Sequence, residues 1–332
     1  MRIFWTVTLF CCCAALLTAC SQSITAVTPP ATAVSPTETA VTPEPTMTIT
    51  EPPFRVIAYV TASVVPELIP YERLTHINYA FLIPNADGSF APFVNGWKLE
   101  TIVAQAHEAG VQVLISVGGW GWDEQFETLG ADPALRANFV QNLSAFVAQY
   151  NLDGADIDWE YPDPGPSAQN FLALIRELRA AMPNKLLTTA VVSYGATGEG
   201  VLSETFDLFD FVNVMTYDGP DHGTMTQFER GLAYWQERGL PPAKTVMGIP
   251  FYARPSETLY RKIVEADPQA AYTDTIELNG ATIHYNGIPT VQAKTRLAMQ
   301  YAAGVMFWTL EHDTTNDDLS LLKAIADVVD EK

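Results

Sequence analysis

The run Asp153-Gly154-Ala155-Asp156-Ile157-Asp158-Trp159-Glu160 sets carboxylates at alternate positions and leads directly into Tyr161-Pro162. On a β-strand successive side chains point to opposite faces, so Asp156, Asp158 and Glu160 share one face while Ala155, Ile157 and Trp159 share the other. The apolar face is bulky enough to pack under helices, which turns the acids toward an enclosed space. Enclosed carboxylates are costly unless paired or put to use. Two residues along a strand is a rise of roughly 6.6 Å, within reach of side-chain rotation. Like charges that close do not both ionise cheaply, so the more enclosed acid keeps its proton. Such a cluster titrates as a unit and can deliver a proton to a leaving group near neutral pH.

The elements that must hold these acids alternate between strand and helix. Strand-like apolar runs are Arg55–Val60, His76–Ile83, Val111–Gly119, Gly154–Tyr161, Leu186–Ser193, Phe209–Asp218, Thr245–Tyr252 and Gly304–Leu310. Between them lie amphipathic stretches over Trp97–Ala109, Pro133–Tyr150, Ala168–Met182, Thr226–Arg238 and Val291–Ala303, with Leu319–Val329 closing the chain. This pattern predicts a parallel sheet covered on both faces. Eight strands in about 250 residues predict an α/β fold of the (β/α)₈ barrel type, with a doubly wound open sheet as the competing architecture. No Gly-x-Gly-x-x-Gly follows the first strand, which weakens a nucleotide-binding version of the open sheet.

In a barrel, active groups sit at the C-terminal strand ends. Those ends read Ser116-Val117-Gly118-Gly119-Trp120, Asp158-Trp159-Glu160-Tyr161, Met215-Thr216-Tyr217-Asp218, Pro250-Phe251-Tyr252 and Phe307-Trp308. Acids, glycines and aromatics on one rim are the composition of a carbohydrate site. Taken singly, Tyr217 and Trp308 would more often be core aromatics, and Phe81, Tyr252, Trp120 and Trp122 fit either sugar stacking or core and lid packing. His222 and His312 have no ligand partners at metal-binding spacing, so no metal or cofactor is expected. Asp317-Asp318 reads as the cap and first turn of the last helix.

The chain carries 18 Lys and Arg against 38 Asp and Glu. That excludes a nucleic-acid backbone or an anionic membrane surface as partner and favours a neutral or cationic one. With 48% hydrophobic residues it can bury a large core in one or two domains. Its cysteines, Cys11, Cys12, Cys13 and Cys20, all fall within the first twenty residues, so the remainder has no disulfide framework and no thiol nucleophile. Residues 1–19 carry one charge, Arg2, before an apolar run, the layout of a secretory signal. Leu17-Thr18-Ala19-Cys20 resembles a bacterial lipobox, which implies cleavage before Cys20 and lipid on its thiol. Residues 20–52 are rich in Thr and Pro and read as an extended tether. The expectation is an exported domain over 53–332, bound to the membrane only through its lipid and facing the extracellular or periplasmic side.

Taken together and in order, the rim motifs resemble those of glycoside hydrolase family 18, the chitinase-like group. The carriers are Ser116-x-Gly118-Gly119, Asp153-x-x-Asp156-x-Asp158-x-Glu160, Met215-x-Tyr217-Asp218 and Trp308, preceded by a family-like helix containing Lys294. The likeness runs from roughly Phe54 to the C-terminus. It implies that Glu160 protonates the leaving glycosidic oxygen and that Asp158 orients the acetamido group of the substrate. The carbonyl oxygen of that group then attacks the anomeric carbon in place of an enzyme nucleophile, a retaining, substrate-assisted reaction. Asp156 would support Asp158, Tyr217 would bond the acetamido oxygen, and Trp308 would floor the sugar subsite. Asp218, Met215, Tyr161, Gly119, Trp120, Phe81 and Tyr252 complete the substrate-binding set.

The implied substrate is a β-1,4-linked N-acetylglucosamine polymer or oligomer such as chitin, handled by a monomer. Endo-cleavage of N-glycan chitobiose cores or of peptidoglycan is the enzymatic alternative. A non-catalytic chitin-binding lectin is the other, though such relatives typically lack the acid glutamate present here as Glu160. Many members insert a sizeable subdomain between strand seven and its helix. Arg254 to Pro289 is too short for it, which predicts a shallower, more open groove. The run Gly219-Pro220-Asp221-His222-Gly223 is not a common continuation of the strand-six motif and leaves specificity there open.

Overall fold

Residues 57–60 and 113–118 are buried along their whole length, which strands achieve between a filled barrel interior and a coat of helices. The structure, a computed structural model, describes residues 53–331 apart from 279. The expected signal, tether and Cys20 lie outside the described residues. Eight parallel strands close into a barrel: β1 (Arg55–Val60), β2 (His76–Leu82), β3 (Gln112–Gly118), β4 (Gly154–Asp158), β5 (Leu186–Val192), β6 (Phe211–Met215), β7 (Thr245–Pro250) and β10 (Gly304–Trp308). Closure is direct, because β1 pairs with β2 through Ile57↔His76 and with β10 through Arg55↔Gly304. That eliminates the open sheet.

Alternation along each strand splits the core in two. Ile57, Tyr59, Phe211, Met215, Val246 and Met306 pack inside the barrel. Ala155, Ile157 and Trp159 join the larger cluster between strands and helices. The coat comprises α1 (Gly96–Glu108), α2 (Asp123–Ala131), α3 (Pro133–Gln149), α4 (Pro166–Ala181), α5 (Met225–Glu237), α6 (Tyr260–Ala266), α7 (Ile288–Tyr301) and α8 (Leu321–Asp330). Helix α3 begins with a side-chain cap, Asp132 accepting from the Ala134 amide at 2.7 Å, followed by Pro133 at its first position.

Two short helices and a hairpin were absent from the sequence-based expectation. Helix α2 is barely hydrophobic and shows its origin only through buried Phe126 and Leu129. The segment after β7 holds α6 and the antiparallel pair β8 (Thr275–Leu278) and β9 (Ala281–His284), and no larger subdomain. The cap of the last helix also differs. Ser320 caps α8, and the fully buried Asp313 accepts from Ser320 Oγ at 2.8 Å and from the Leu321 and Leu322 amides at 3.0 and 2.9 Å. Asp317 and Asp318 lie in a preceding 3₁₀ turn, where Asp317 takes a two-pronged bond from Arg73 at 2.7 Å per contact. The exposed acids mimic a cap in the sequence; Ser320 does the capping, together with the buried Asp313 seven residues before it.

Candidate active site

The outward face of β4 sets the direction of the inward one. Trp159 is buried against the coat, stacked on Phe126 at 5.2 Å and edge-on to Phe171 at 5.8 Å, and its Nε1 donates to Asp123 Oδ1 at 2.7 Å. With Trp159 pinned outward, Asp158 and Glu160 on either side turn to the barrel axis. Strand pairing ends at Asp158, opposite Gly118, so Glu160 stands just beyond the strand at the mouth of the barrel.

Asp156 is fully buried and accepts four hydrogen bonds. Tyr59 and Ser116 hydroxyls donate to Oδ2 at 2.8 Å each, Thr188 donates to Oδ1 at 2.6 Å, and Asn213 Nδ2 at 3.2 Å. Burial raises its pKa and these donors draw it back. Both oxygens are satisfied from four other strands, and no hydrogen bond joins Asp156 to Asp158. Whatever Asp156 does for Asp158 in this state is electrostatic.

Asp158 differs: its Oδ1 is buried without a hydrogen-bond partner. Burial first, then the charges of Glu160 and Asp156, lift its pKa well above the carboxylate range. Burial pushes Glu160 up to about 7; the Tyr161 hydroxyl opposes this and the Asp218 charge adds to it. Enclosure is thus the larger cause at Glu160, and a neighbouring acid adds to it, as expected from the sequence. Burial alone would raise Asp218, but hydrogen bonds from Arg254 and Tyr252 and the Arg254 charge draw that carboxyl down to about 2. Arg254 Nε and the Tyr252 hydroxyl reach Asp218 Oδ1 at 2.7 and 2.8 Å.

These groups open onto a cavity of about 710 Å³ at the C-terminal mouth of the barrel. Asp158, Glu160, Tyr217 and Asp218 line it, with Phe81, Trp120, Tyr161, Met215, Tyr252 and Trp308 as its largely apolar walls. Trp308 stacks on Phe81 at 5.4 Å between ring centres. Trp120 stands 79% exposed at the rim, while Trp122, at the start of α2, does not line the cavity. The Tyr217 hydroxyl meets the Met306 sulfur at 3.9 Å, a weak contact that leaves its proton available.

Of the expected site residues, Asp156 lies beneath the cavity and Gly119 behind its wall. A Cβ on Gly118 would stand 2.4 Å from the Asp158 carbonyl oxygen, and one on Gly119 2.7 Å from the Phe81 ring. Both glycines also have positive φ, and Gly119 N–H bonds the Asp158 carbonyl at 2.8 Å. The pair lets β3 approach the catalytic strand and Phe81 closely. Among the described residues no three His, Cys, Asp or Glu side chains converge as a metal-binding group.

Several lining residues escaped the sequence reading. Tyr194 follows β5 by two residues, as Glu160 follows β4, so the strand-end rule that found Glu160 could have found it. Its ring carries the Arg230 guanidinium at 4.1 Å and its hydroxyl bonds Asp221 Oδ2 at 3.1 Å. Arg254 left no signal, since its partner Asp218 is distant in sequence. Behind the loop after β6, the buried Lys294 Nζ donates to the Gly223 carbonyl at 2.6 Å and to Asn286 Oδ1 at 2.7 Å, and burial lowers its pKa to about 7.

Comparison with known proteins places this geometry in a family. The family model described as glycosyl hydrolases family 18 matches residues 55–313. The chain is 31% identical over 244 residues to "Probable chitinase 2" of Drosophila melanogaster and 29% identical over 238 residues to "Probable endochitinase" of Caenorhabditis elegans. Those matches cover 61% and 58% of this chain but only 48% and 38% of the relatives, so the chain spans less than half of either. Among solved structures, a chitinase from Bacteroides thetaiotaomicron superposes with a TM-score of 0.77 at 29% identity, over 85% of this chain and 98% of that one. A family 18 chitinase from Flavobacterium johnsoniae gives 0.73 at 28% identity, over 84% and 94%. With motifs, barrel and cavity in agreement with these likenesses, the chain belongs to glycosyl hydrolases family 18.

Proposed function

We propose that this chain is a chitinase-type enzyme that hydrolyses β-1,4 bonds following N-acetylglucosamine, with retention and by substrate assistance. One observation carries the reading: Glu160 and Asp158 line the same cavity, Glu160 with its pKa pushed up to about 7 by burial and Asp158 with a buried oxygen that has no partner among the described residues. The other acids at the site are engaged rather than free to act as an enzyme nucleophile: Glu257, which also lines the cavity, is bonded to Arg254. Asp156 is occupied by four donors, and Asp218 is tied to Arg254 and Tyr252. Asp158, its pKa lifted by burial, is a poor nucleophile but a suitable acceptor for an amide N–H.

In the proposed reaction, Glu160 gives its proton to the glycosidic oxygen as the bond to the anomeric carbon breaks. The acetamido oxygen forms a bond to that carbon, its N–H held by Asp158 and its oxygen by Tyr217. Water, deprotonated by Glu160, then attacks the same carbon, opens the cyclic intermediate and restores both the acetamido group and the acid. Trp308 and the rim aromatics bind sugar faces. The chitinase names of the relatives and the open mouth favour chitin or soluble oligomers. Product analysis on chitin oligomers, a high-mannose glycopeptide and peptidoglycan tests this. We expect cleavage of the oligomers; cleavage confined to the glycopeptide or to peptidoglycan would redirect the substrate, and turnover of none would reject the reading.

We also propose, from the lipobox-like residues 17–20, that the protein is exported and anchored by lipid on Cys20, with the barrel held off the membrane by the tether. Mass spectrometry of the mature N-terminus should find Cys20 first in the chain and acylated. A free thiol there, or a different cleavage point, rejects the anchor.

A further inference from the structure

The loop between β6 and α5 contains a histidine whose two ring nitrogens face two different stretches of backbone. The Asp218 amide donates to His222 Nδ1 at 3.0 Å, and His222 Nε2 lies 3.0 Å from the Tyr252 carbonyl oxygen. An amide N–H only donates and a carbonyl only accepts, so Nδ1 is the acceptor and Nε2 carries the proton. The neutral ring is thereby fixed in one tautomer. It is 5% exposed and packs 5.0 Å from the Tyr252 ring, whose hydroxyl in turn bonds Asp218.

Asp218 needs such a partner. Its φ is 60°, in the left-handed region that non-glycine residues adopt at a cost, and Gly219 follows at 75°. The loop is anchored further by Gln227, whose Nε2 donates to the Asp218 carbonyl at 2.8 Å, and by Lys294 on the Gly223 carbonyl. Among the described residues, His222 is the one acceptor of the Asp218 amide. A part-buried amide left without an acceptor favours local rearrangement toward solvent.

We infer that His222 is a positioning residue, whose Nδ1 holds the Asp218 backbone in its left-handed turn and so aims the Asp218 carboxylate at the space beside Glu160. The inference rests on the reading of Glu160 as the acid. Asp218 is one of the charges that keep Glu160 protonated, so releasing it moves the proton-dependent limb of the rate. Around this pair stand Asp158, Tyr161 and Tyr217 beside Glu160; Arg254 with its partner Glu257, Tyr252 and His222 itself, 3.7 Å from the carboxylate, on Asp218; and His312 and Lys294 behind the loop.

Three substitutions separate the roles of the ring. His222→Leu keeps bulk and removes both bonds. His222→Gln places its amide near the Nε2 position, keeping the Tyr252 contact without the acceptor. His222→Asn puts a carbonyl oxygen near the Nδ1 position, restoring the acceptor alone. On an N-acetylchitooligosaccharide, the Leu and Gln variants should lose about tenfold in kcat/KM, the worth of roughly one buried hydrogen bond. Their basic pH limb should move down by about half a unit, as for a removed neighbouring charge. His222→Asn should recover most of both losses.

Leu and Gln variants with the native limb and kcat/KM, or a folded Asn variant as impaired as Leu, overturn the inference. Nitrogen-15 spectra of the His222 ring in the native protein supply a readout independent of turnover. The Nε2–H tautomer is expected, and an Nδ1–H tautomer overturns the inference even if the enzyme acts on another polymer. A native protein inactive on every acetamido substrate would instead refute the proposed function, with the tautomer still deciding the loop contact.

Discussion

Glu160→Gln should reduce kcat on an N-acetylchitooligosaccharide by about 10³-fold or more, within or above the usual range for losing a general acid, while the oligosaccharide still binds. The substitution keeps the shape of the side chain and its hydrogen-bonding reach but leaves no proton to transfer. The aromatic walls, Trp308 and Phe81 stacked at 5.4 Å among them, are untouched, so affinity persists where turnover does not. The native enzyme supplies the companion measurement. Glu160 must be protonated for the first step and its pKa sits at about 7, so kcat/KM should hold below that pH and fall as pH rises through it. A glutamate at its ordinary value of 4.5 would put that fall more than two units lower. Loss of turnover in Glu160→Gln with a limb near 7 in the native enzyme identifies the proton donor. Unchanged turnover in the variant removes Glu160 from the mechanism.

The inward direction of Asp156, Asp158 and Glu160 was legible because strand parity is a local property. Once Ile157 and Trp159 are read as packing residues, the acids have one side left. The barrel was legible for a similar reason, since runs such as Val113–Val117 are apolar on both faces and recur between amphipathic helices. What escaped depends on approach between distant segments. The donors to Asp156 come from β1, β3, β5 and β6, and in sequence each is a polar residue in a largely apolar run with nothing to tie it to Asp156. Arg254 and His222 acquire meaning only when the ends of β6 and β7 meet around Asp218. Trp120 and Trp122 are indistinguishable by type and spacing. The turn at Gly118 and Gly119 sends one to the rim and leaves the other at the start of α2.

A substrate with a hydroxyl in place of the 2-acetamido group should turn over at least about 10³-fold more slowly than its acetamido counterpart. An intramolecular nucleophile held in place is worth effective molarities of about 10⁵ M or more, and the cavity carboxylates Asp218 and Glu257 are both engaged by Arg254. Asp158→Asn should cost about 10²-fold or more on the acetamido substrate, because an amide donor would face the substrate N–H that the carboxyl oxygen accepts. The decisive term is the interaction between the two changes. If Asp158 acts through the acetamido group, the variant should lose little on the substrate that lacks it, so the two penalties fail to add. Aryl glycosides with a good leaving group keep the residual rates measurable in all four combinations. Additive penalties would mean that Asp158 acts on the reacting carbon directly, and equal rates on the two substrates would exclude substrate assistance. The buried, unpartnered Asp158 oxygen favours the coupled outcome: a site that desolvates an acceptor and supplies no protein donor is built to receive one from its ligand.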